Sequence, residues 1–179
     1  MPEIRAVAVL PRLRELELSV CLACSRVQRR QALAALLRAA SRLGDGPAWL
    51  ALAVLLPLLF GAAALDAVAR LAIAGVVCAL VSRGLKRAID RPRPYLAHDG
   101  IALGVTPLDR FSFPSGHTLH AVALTAVAVV HYPALGWALV PFTLLVAWSR
   151  VALGLHYPSD VAAGAAVGGA IAWVCLVWL

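Results

Sequence analysis

Charge is scarce in this chain. Asp, Glu, Lys and Arg make up only 14% of its 179 residues, against 62% that are apolar. A soluble domain carries about 25% charged residues, so the composition excludes that class and the long uncharged runs point to a membrane. Acids are scarcer still, nine against sixteen Lys and Arg, which leaves a net charge of +7. In a soluble protein such an excess would suggest nucleic acid. Here the arginines flank apolar runs, so anionic lipid headgroups are the expected partner and nucleic acid is not. The four cysteines, Cys21, Cys24, Cys78 and Cys175, sit in apolar surroundings and make no disulfide framework. The Cys21–Cys24 pair lacks the partners of a zinc or redox site and reads as small apolar side chains. The cysteines therefore fix no compartment. There is no internal repeat and no stretch that reads as a soluble domain. A signal peptide is not expected either, because the apolar run from Leu18 to Cys24 is short and follows acids.

What the chain has instead is arginine and apolar runs. Residues 1–46 hold eight arginines and no lysine. Within them 31–43 has helical periodicity. Leu33, Leu36, Leu37, Ala40 and Leu43 share one face, while Gln31, Arg38, Ser41 and Arg42 lie largely on the other. A basic amphipathic helix of this kind lies in the membrane interface, since a crossing would drag Arg26, Arg29, Arg30 and Arg38 through hydrocarbon. The same face also suits packing on the protein's own bundle. Gly44-Asp45-Gly46-Pro47 ends this helix and starts the next.

Five apolar stretches follow, at 47–65, 67–82, 118–130, 134–148 and 161–179. Asp66 reads as a tight turn, His131-Tyr132-Pro133 as another, and Pro141 as a kink. Gly164 and Gly168 form a GxxxG pair, read as close packing inside the bundle in preference to dimerisation. The expected architecture is a single all-α domain over 1–179. Residues 1–46 form a basic interfacial segment with an amphipathic helix, and 47–179 form an integral membrane helical bundle of about five spans. With five spans, the polar segments 1–46, 83–116 and 149–160 share one side. Fifteen of the sixteen Lys and Arg lie there and only Arg70 lies opposite, which assigns that side to the cytoplasm.

Three polar stretches carry chemistry. The first is Lys86-Arg-Ala-Ile-Asp-Arg-Pro-Arg93-Pro94. Lys86 and Arg93 are seven apart, about two helical turns, and project the same way if the helix continues. Converging cations suit an oxyanion such as phosphate; alone, the segment also reads as a basic membrane-flanking loop. The second is Phe113-Pro-Ser-Gly-His117, a helix start with Ser115 placed to cap it. Such an N-terminus binds anions, and a histidine there can move protons. The plain alternative is a capped helix with an incidental His. A metal held by His117 and His120 finds no further ligand at suitable spacing, so no metal or other cofactor is expected. The third is Ser149-Arg-Val-Ala-Leu-Gly-Leu-His156-Tyr-Pro-Ser-Asp160, which adds Arg150 and a His–Asp pair four apart. A carboxylate holding one imidazole nitrogen makes the other a better nucleophile or base. Ionisable groups at the edge of a membrane span are costly and point to function, although a polar loop with a snorkelling Arg150 is the plain reading of this stretch alone.

Together the three stretches, K-x6-R-P, P-S-G-H and S-R-x5-H-x3-D, resemble the tripartite signature of the type-2 phosphatidic acid phosphatase superfamily. Every signature position is present, in order, at a span boundary. The resemblance implies His156 as nucleophile, Asp160 orienting it, and His117 protonating the leaving group and later activating water. Lys86, Arg93 and Arg150 would hold the phosphoryl oxygens, with Ser115 and the Gly116 N–H completing the cradle. It implies no metal. The implied substrate is a lipid phosphate, such as phosphatidylglycerophosphate, phosphatidate, undecaprenyl pyrophosphate or a phosphorylated lipid A, in a bacterial inner membrane. A phosphotransferase passing the phosphoryl group to another lipid is an alternative, as is a non-catalytic lipid-binding bundle. Haloperoxidase relatives are larger and soluble. Familiar bacterial members have six spans and a site often facing the periplasm, where this chain reads as five with the site facing inward. Residues 95–109, between the first two motifs, read as a solvated loop or as a lid or headgroup site.

Overall fold

A computed structural model of the chain describes residues 11–107 and 109–178. Among these, helices predominate, and the one β-type pairing is an isolated bridge between Pro92 and Phe111. Helices α1 (Pro11–Ser25) and α2 (Gln31–Gly44) are joined by a 3-10 turn, Arg26–Arg29. Then come α3 (Pro47–Phe60), α4 (Leu65–Ile89), the short α5 (Pro94–Ala97), α6 (Gly116–His131), α7 (Gly136–Ala152) and α8 (Pro158–Trp178). Three stretches are long and apolar enough to cross a membrane: Pro47–Ile89, Pro133–Ala152 and Pro158–Trp178. The first is broken by a 3-10 turn at Gly61–Ala64, and Gly116–His131 is apolar but shorter.

The turn between α3 and α4 lies at Gly61–Ala64, not at Asp66 as the sequence suggested. Gly61 has φ 66°, a left-handed conformation that costs glycine little. Asp66 belongs to the first turn of α4, where it pairs with Arg70 at 2.8 Å. Helix α3 folds back on α4. Its start contributes Trp49 to a cavity shared with Ala79, Ser82 and Lys86, while Phe60 at its end stacks on Tyr132.

Helix α6 is the centre, packed on α4, α7 and α8. Lipid supplies no hydrophobic drive between helices, so small residues and close van der Waals approach must hold them. The contact of α6 with α8 is built that way. A Cβ on Gly164 would lie 2.6 Å from the Ser115 carbonyl oxygen, and one on Gly168 would lie 2.4 Å from that of Leu119. The GxxxG pair thus packs inside the bundle. Outward faces are apolar: Leu50, Val54 and Leu58 form one stripe on α3, and Trp137 on α7 is 90% exposed. Contiguous exposed apolar surface of this kind marks a membrane-facing wall.

The N-terminal segment departs from the expected pattern. Leu37 and Ala40 of α2 are buried as the periodicity suggested, but so is Ser41, while Leu36 and Leu43 stay exposed. The buried stripe is Ala34, Leu37, Ala40–Ser41 and Gly44, rotated from the purely apolar one, because α2 lies against α7 and offers Ser41 to Arg150. Helix α1 had no clear signature in the sequence. It is anchored by Cys21, buried with Ile101, Val151 and Tyr157.

Candidate active site

Helix α7 ends at Ala152, and the chain turns through Gly154 (φ 75°) before Pro158 opens α8. A Cβ at Gly154 would press to 2.8 Å on the Ala102 carbonyl oxygen, so only glycine suits this turn. The turn drops His156 into the interior, 1% exposed. Its Nδ1 lies 2.5 Å from the Ser112 carbonyl oxygen. A carbonyl only accepts, so Nδ1 carries the proton and the Nε2 lone pair is left as an acceptor. That lone pair faces Arg93, whose Nη1 is 3.3 Å away. Asp160 sits 3.7 Å from Nδ1, beyond hydrogen-bond range. Its Oδ2 accepts the Tyr157 N–H at 2.8 Å and its Oδ1 accepts Arg91 at 2.7 Å. The hydrogen bond that orients the imidazole therefore runs to the Ser112 main chain, and Asp160 acts on the ring as a nearby charge.

The cations converge, but not along one helix. Helix α4 stops at Ile89, Asp90 turns left-handed (φ 40°), and Arg93 stands on an extended segment. Lys86 and Arg93 meet on Asp109. Lys86 Nζ donates to Oδ2 at 2.6 Å, and Arg93 Nη2 donates to Oδ1 at 2.9 Å. Burial raises the Asp109 pKa, yet Lys86 and Arg93 outweigh it and hold the carboxyl below its usual range. Arg93 also donates through Nε to the Asp109 carbonyl and through Nη1 to the Leu155 carbonyl. Arg150 is 3% exposed and donates to Ser41 Oγ, while its Nε has no protein partner. An unpartnered buried donor of this kind calls for a ligand.

Ser115 caps α6, accepting the Thr118 N–H, and its own N–H donates to the Asp160 carbonyl at 3.0 Å. Gly116 lies beside Lys86: a Cβ there would be 3.1 Å from Ser82 Oγ and 3.8 Å from Lys86 Nζ. His117 follows, its Nε2 3.3 Å from Asp45 Oδ1. Two cavities, of about 480 Å³ and 680 Å³, both reach Asp45 and His117. The smaller also touches Ser41, Thr106 and Arg150; the larger touches Trp49, Lys86, Asp109 and His120. Burial, then Arg150, Arg93 and Lys86, drive the His156 pKa well below its usual value. Burial raises Asp45, against the pull of Arg150, His120 and Lys86.

All eight residues singled out in the sequence fall in this region: Lys86, Arg93, Ser115, Gly116, His117, Arg150, His156 and Asp160. The sequence left out Asp45, Arg91, Asp109 and the Ser112 carbonyl. Asp109 came from a loop read as solvated in one alternative, and Asp45 from a segment read only as a helix stop. A main-chain carbonyl leaves no mark in a sequence. Arg91 had one signal, a charge inside the Lys86–Pro94 stretch. The chemical inventory is a buried neutral imidazole whose Nε2 lone pair meets Arg93, a second imidazole on two cavities, and three cations.

Comparison with known proteins follows the same lines. The PAP2 superfamily model matches residues 63–179. A lipid A 1-phosphatase of Rhizobium etli is 39% identical over 98 residues, 52% of this chain and 42% of that protein. The undecaprenyl-diphosphatase BcrC of Bacillus subtilis is 36% identical over 89 residues, 50% of this chain and 46% of that one. The chain thus spans less than half the length of these curated relatives. The crystal structure of Aquifex aeolicus LpxE superposes with a TM-score of 0.79 at 25% identity, over 91% of this chain and 96% of that one.

Proposed function

The chain belongs to the PAP2 superfamily, and from that premise we propose that it is an integral membrane lipid phosphatase. It hydrolyses a phosphomonoester or diphosphate carried on a lipid, through a phosphohistidine. The observation that carries this reading is His156: its proton is fixed on Nδ1 by the Ser112 carbonyl, and its Nε2 faces Arg93.

Lys86, Arg93 and Arg150 take the phosphoryl oxygens, Arg150 through the Nε that lacks a protein partner. Asp109 bridges two of these cations and yields to the incoming phosphate. His156 Nε2 attacks phosphorus, the bond to the leaving oxygen breaks, and His117 passes to that oxygen the proton brought in by the substrate monoanion. Water then attacks phosphorus as the P–N bond breaks; His117 takes the water's proton, and phosphate leaves. Positioning and charge stabilisation suffice for this chemistry, which has little covalent demand beyond the nucleophile. The named activities of the relatives, a lipid A 1-phosphatase and an undecaprenyl-diphosphatase, support a lipid-borne phosphate as the substrate. A panel of lipid monophosphates and diphosphates with purified protein in detergent tests it. Phosphate release that persists in EDTA is the expected result. Phosphoryl transfer to an added lipid alcohol with no free phosphate supports a transferase instead. Inactivity across the panel overturns the reading.

We also propose that α3, α4, α6, α7 and α8 cross a bacterial inner membrane, giving five crossings. The site then faces the cytoplasm, α2 lying at the interface with Leu36 and Leu43 toward lipid. The cation count supports this, since the Arg70–Asp66 pair and His131 mark the opposite end of the bundle. Single cysteines introduced at Asp99 and Arg12 in a cysteine-free background are expected to resist a membrane-impermeant maleimide in intact cells and to react after permeabilisation. Labelling in intact cells overturns the cytoplasmic assignment.

A further inference from the structure

One buried network near the site has no part in the chemistry above. Arg91 lies within the first motif, between Lys86 and Arg93, and its guanidinium makes three side-chain hydrogen bonds. Nη1 donates to Asp160 Oδ1 and to Ser159 Oγ, each at 2.7 Å, and Nη2 donates to Glu17 Oε2 at 2.7 Å. Its flat face covers the Tyr157 ring, 3.9 Å from the centroid. Glu17 belongs to α1 and is 4% exposed, and its other oxygen accepts the Ser159 N–H at 3.0 Å. That N–H is one of the unpaired donors at the start of α8, where a carboxylate is also favoured by the helix dipole.

A buried ion network that serves stability alone is a poor device, because desolvation offsets most of its attraction. Its placement indicates another use. Asp160 has 0% exposure and sits 3.7 Å from His156 Nδ1, where its charge faces the imidazole that becomes cationic as Nε2 bonds to phosphorus. Arg91 on Oδ1 and the Tyr157 N–H on Oδ2 hold the carboxylate behind the ring. Arg91 in turn is held by Glu17. We infer that Glu17 and Arg91 are positioning residues for the His156–Asp160 pair, and that helix α1 thereby belongs to the catalytic apparatus. Glu17 lies outside the residues matched by the superfamily model, 63–179.

This inference rests on the proposed phosphatase reading, and one experiment separates the two. The full-length chain, purified in detergent, is assayed on a lipid phosphate as wild type, Glu17→Gln, Asp160→Asn and the double variant. Glu17→Gln is expected to lower kcat about 10-fold with KM changed less than about twofold, the low end of what losing an outer partner of a metal-bound imidazole costs. In the Asp160→Asn background the same change is expected to cost less than about twofold, because residues acting as one unit are strongly non-additive. If Glu17→Gln does not fold, Glu17→Asp, which keeps the charge but shortens the reach, replaces it in the same cycle. Equal losses in both backgrounds, a loss confined to KM, or no loss overturns the positioning role. A wild type inactive on every lipid phosphate overturns the phosphatase reading itself.

Discussion

Replacing His156 with alanine is expected to lower phosphate release by at least about 1,000-fold, the scale on which loss of a covalent nucleophile acts. The expectation follows from its surroundings. Among the described residues, no other nucleophilic side chain combines burial, a fixed tautomer and a lone pair facing Arg93. The residual rate would come from the cations alone, which still bind and polarise the phosphate. Brief exposure to substrate labelled in the phosphoryl group, followed by quenching under alkaline conditions, is expected to leave label on the wild-type chain and none on His156→Ala. A variant that keeps a tenth of wild-type turnover would point to direct attack by water, with no covalent intermediate.

The second large effect is at His117. His117→Asn is expected to slow hydrolysis of a lipid phosphate by about 100- to 10,000-fold, the range for a general acid. The same variant is expected to lose far less with an aryl phosphate whose leaving group needs no proton. Comparable losses on both substrates would remove His117 from the proton-transfer role. The pH dependence follows from its charge environment. His117 shares its two cavities with the cations Arg150 and Lys86, and neighbouring cations disfavour a charged imidazole. Asp45, 3.3 Å away, and His120 complete its titratable neighbours. A bound phosphate reverses the field, since an anion beside an imidazole favours the cation. The proton must then arrive with the substrate monoanion. Because a phosphomonoester loses its second proton near pH 6, kcat/KM is expected to fall as pH rises above that region. A kcat/KM that instead rises from pH 6 to 8 would contradict this route.

The parts of the molecule legible in the sequence are those that sit close together in it. The apolar stretches and the three motifs each announce themselves locally, through composition or through a helix start such as Ser115. The helical class, the membrane character and the eight polar residues that the fold brings together were readable for that reason. What was not readable depends on partners distant in the chain. Ser41 looked like the polar face of an amphipathic helix because Arg150, 109 residues later, is invisible from there. Asp109 looked like solvent-facing loop because the two cations it bridges come from other segments. Lys86 and Arg93 were correctly paired for a reason that does not hold. They converge because Asp90 breaks the helix, not because one helix carries both. The orienting acceptor for His156 is a main-chain oxygen, which any residue at position 112 would supply.

Gly164 and Gly168 bring α8 against the main chain of α6, and the Ser115 N–H closes on the Asp160 carbonyl. The spacing between the second and third motifs is thus set by backbone meeting backbone, with no side chain between to yield. The first motif is joined to the third chiefly through side chains, Arg91 on Ser159 and Asp160 and Arg93 on the Leu155 carbonyl. A bilayer that grows thicker or thinner makes helices tilt. Under such a load Ser115 and Asp160 would travel as one rigid block, and the deformation would fall on the arm that carries Lys86 and Arg93. Bilayer thickness would therefore act on how tightly phosphate is gripped before it disturbs the alignment of nucleophile and acid.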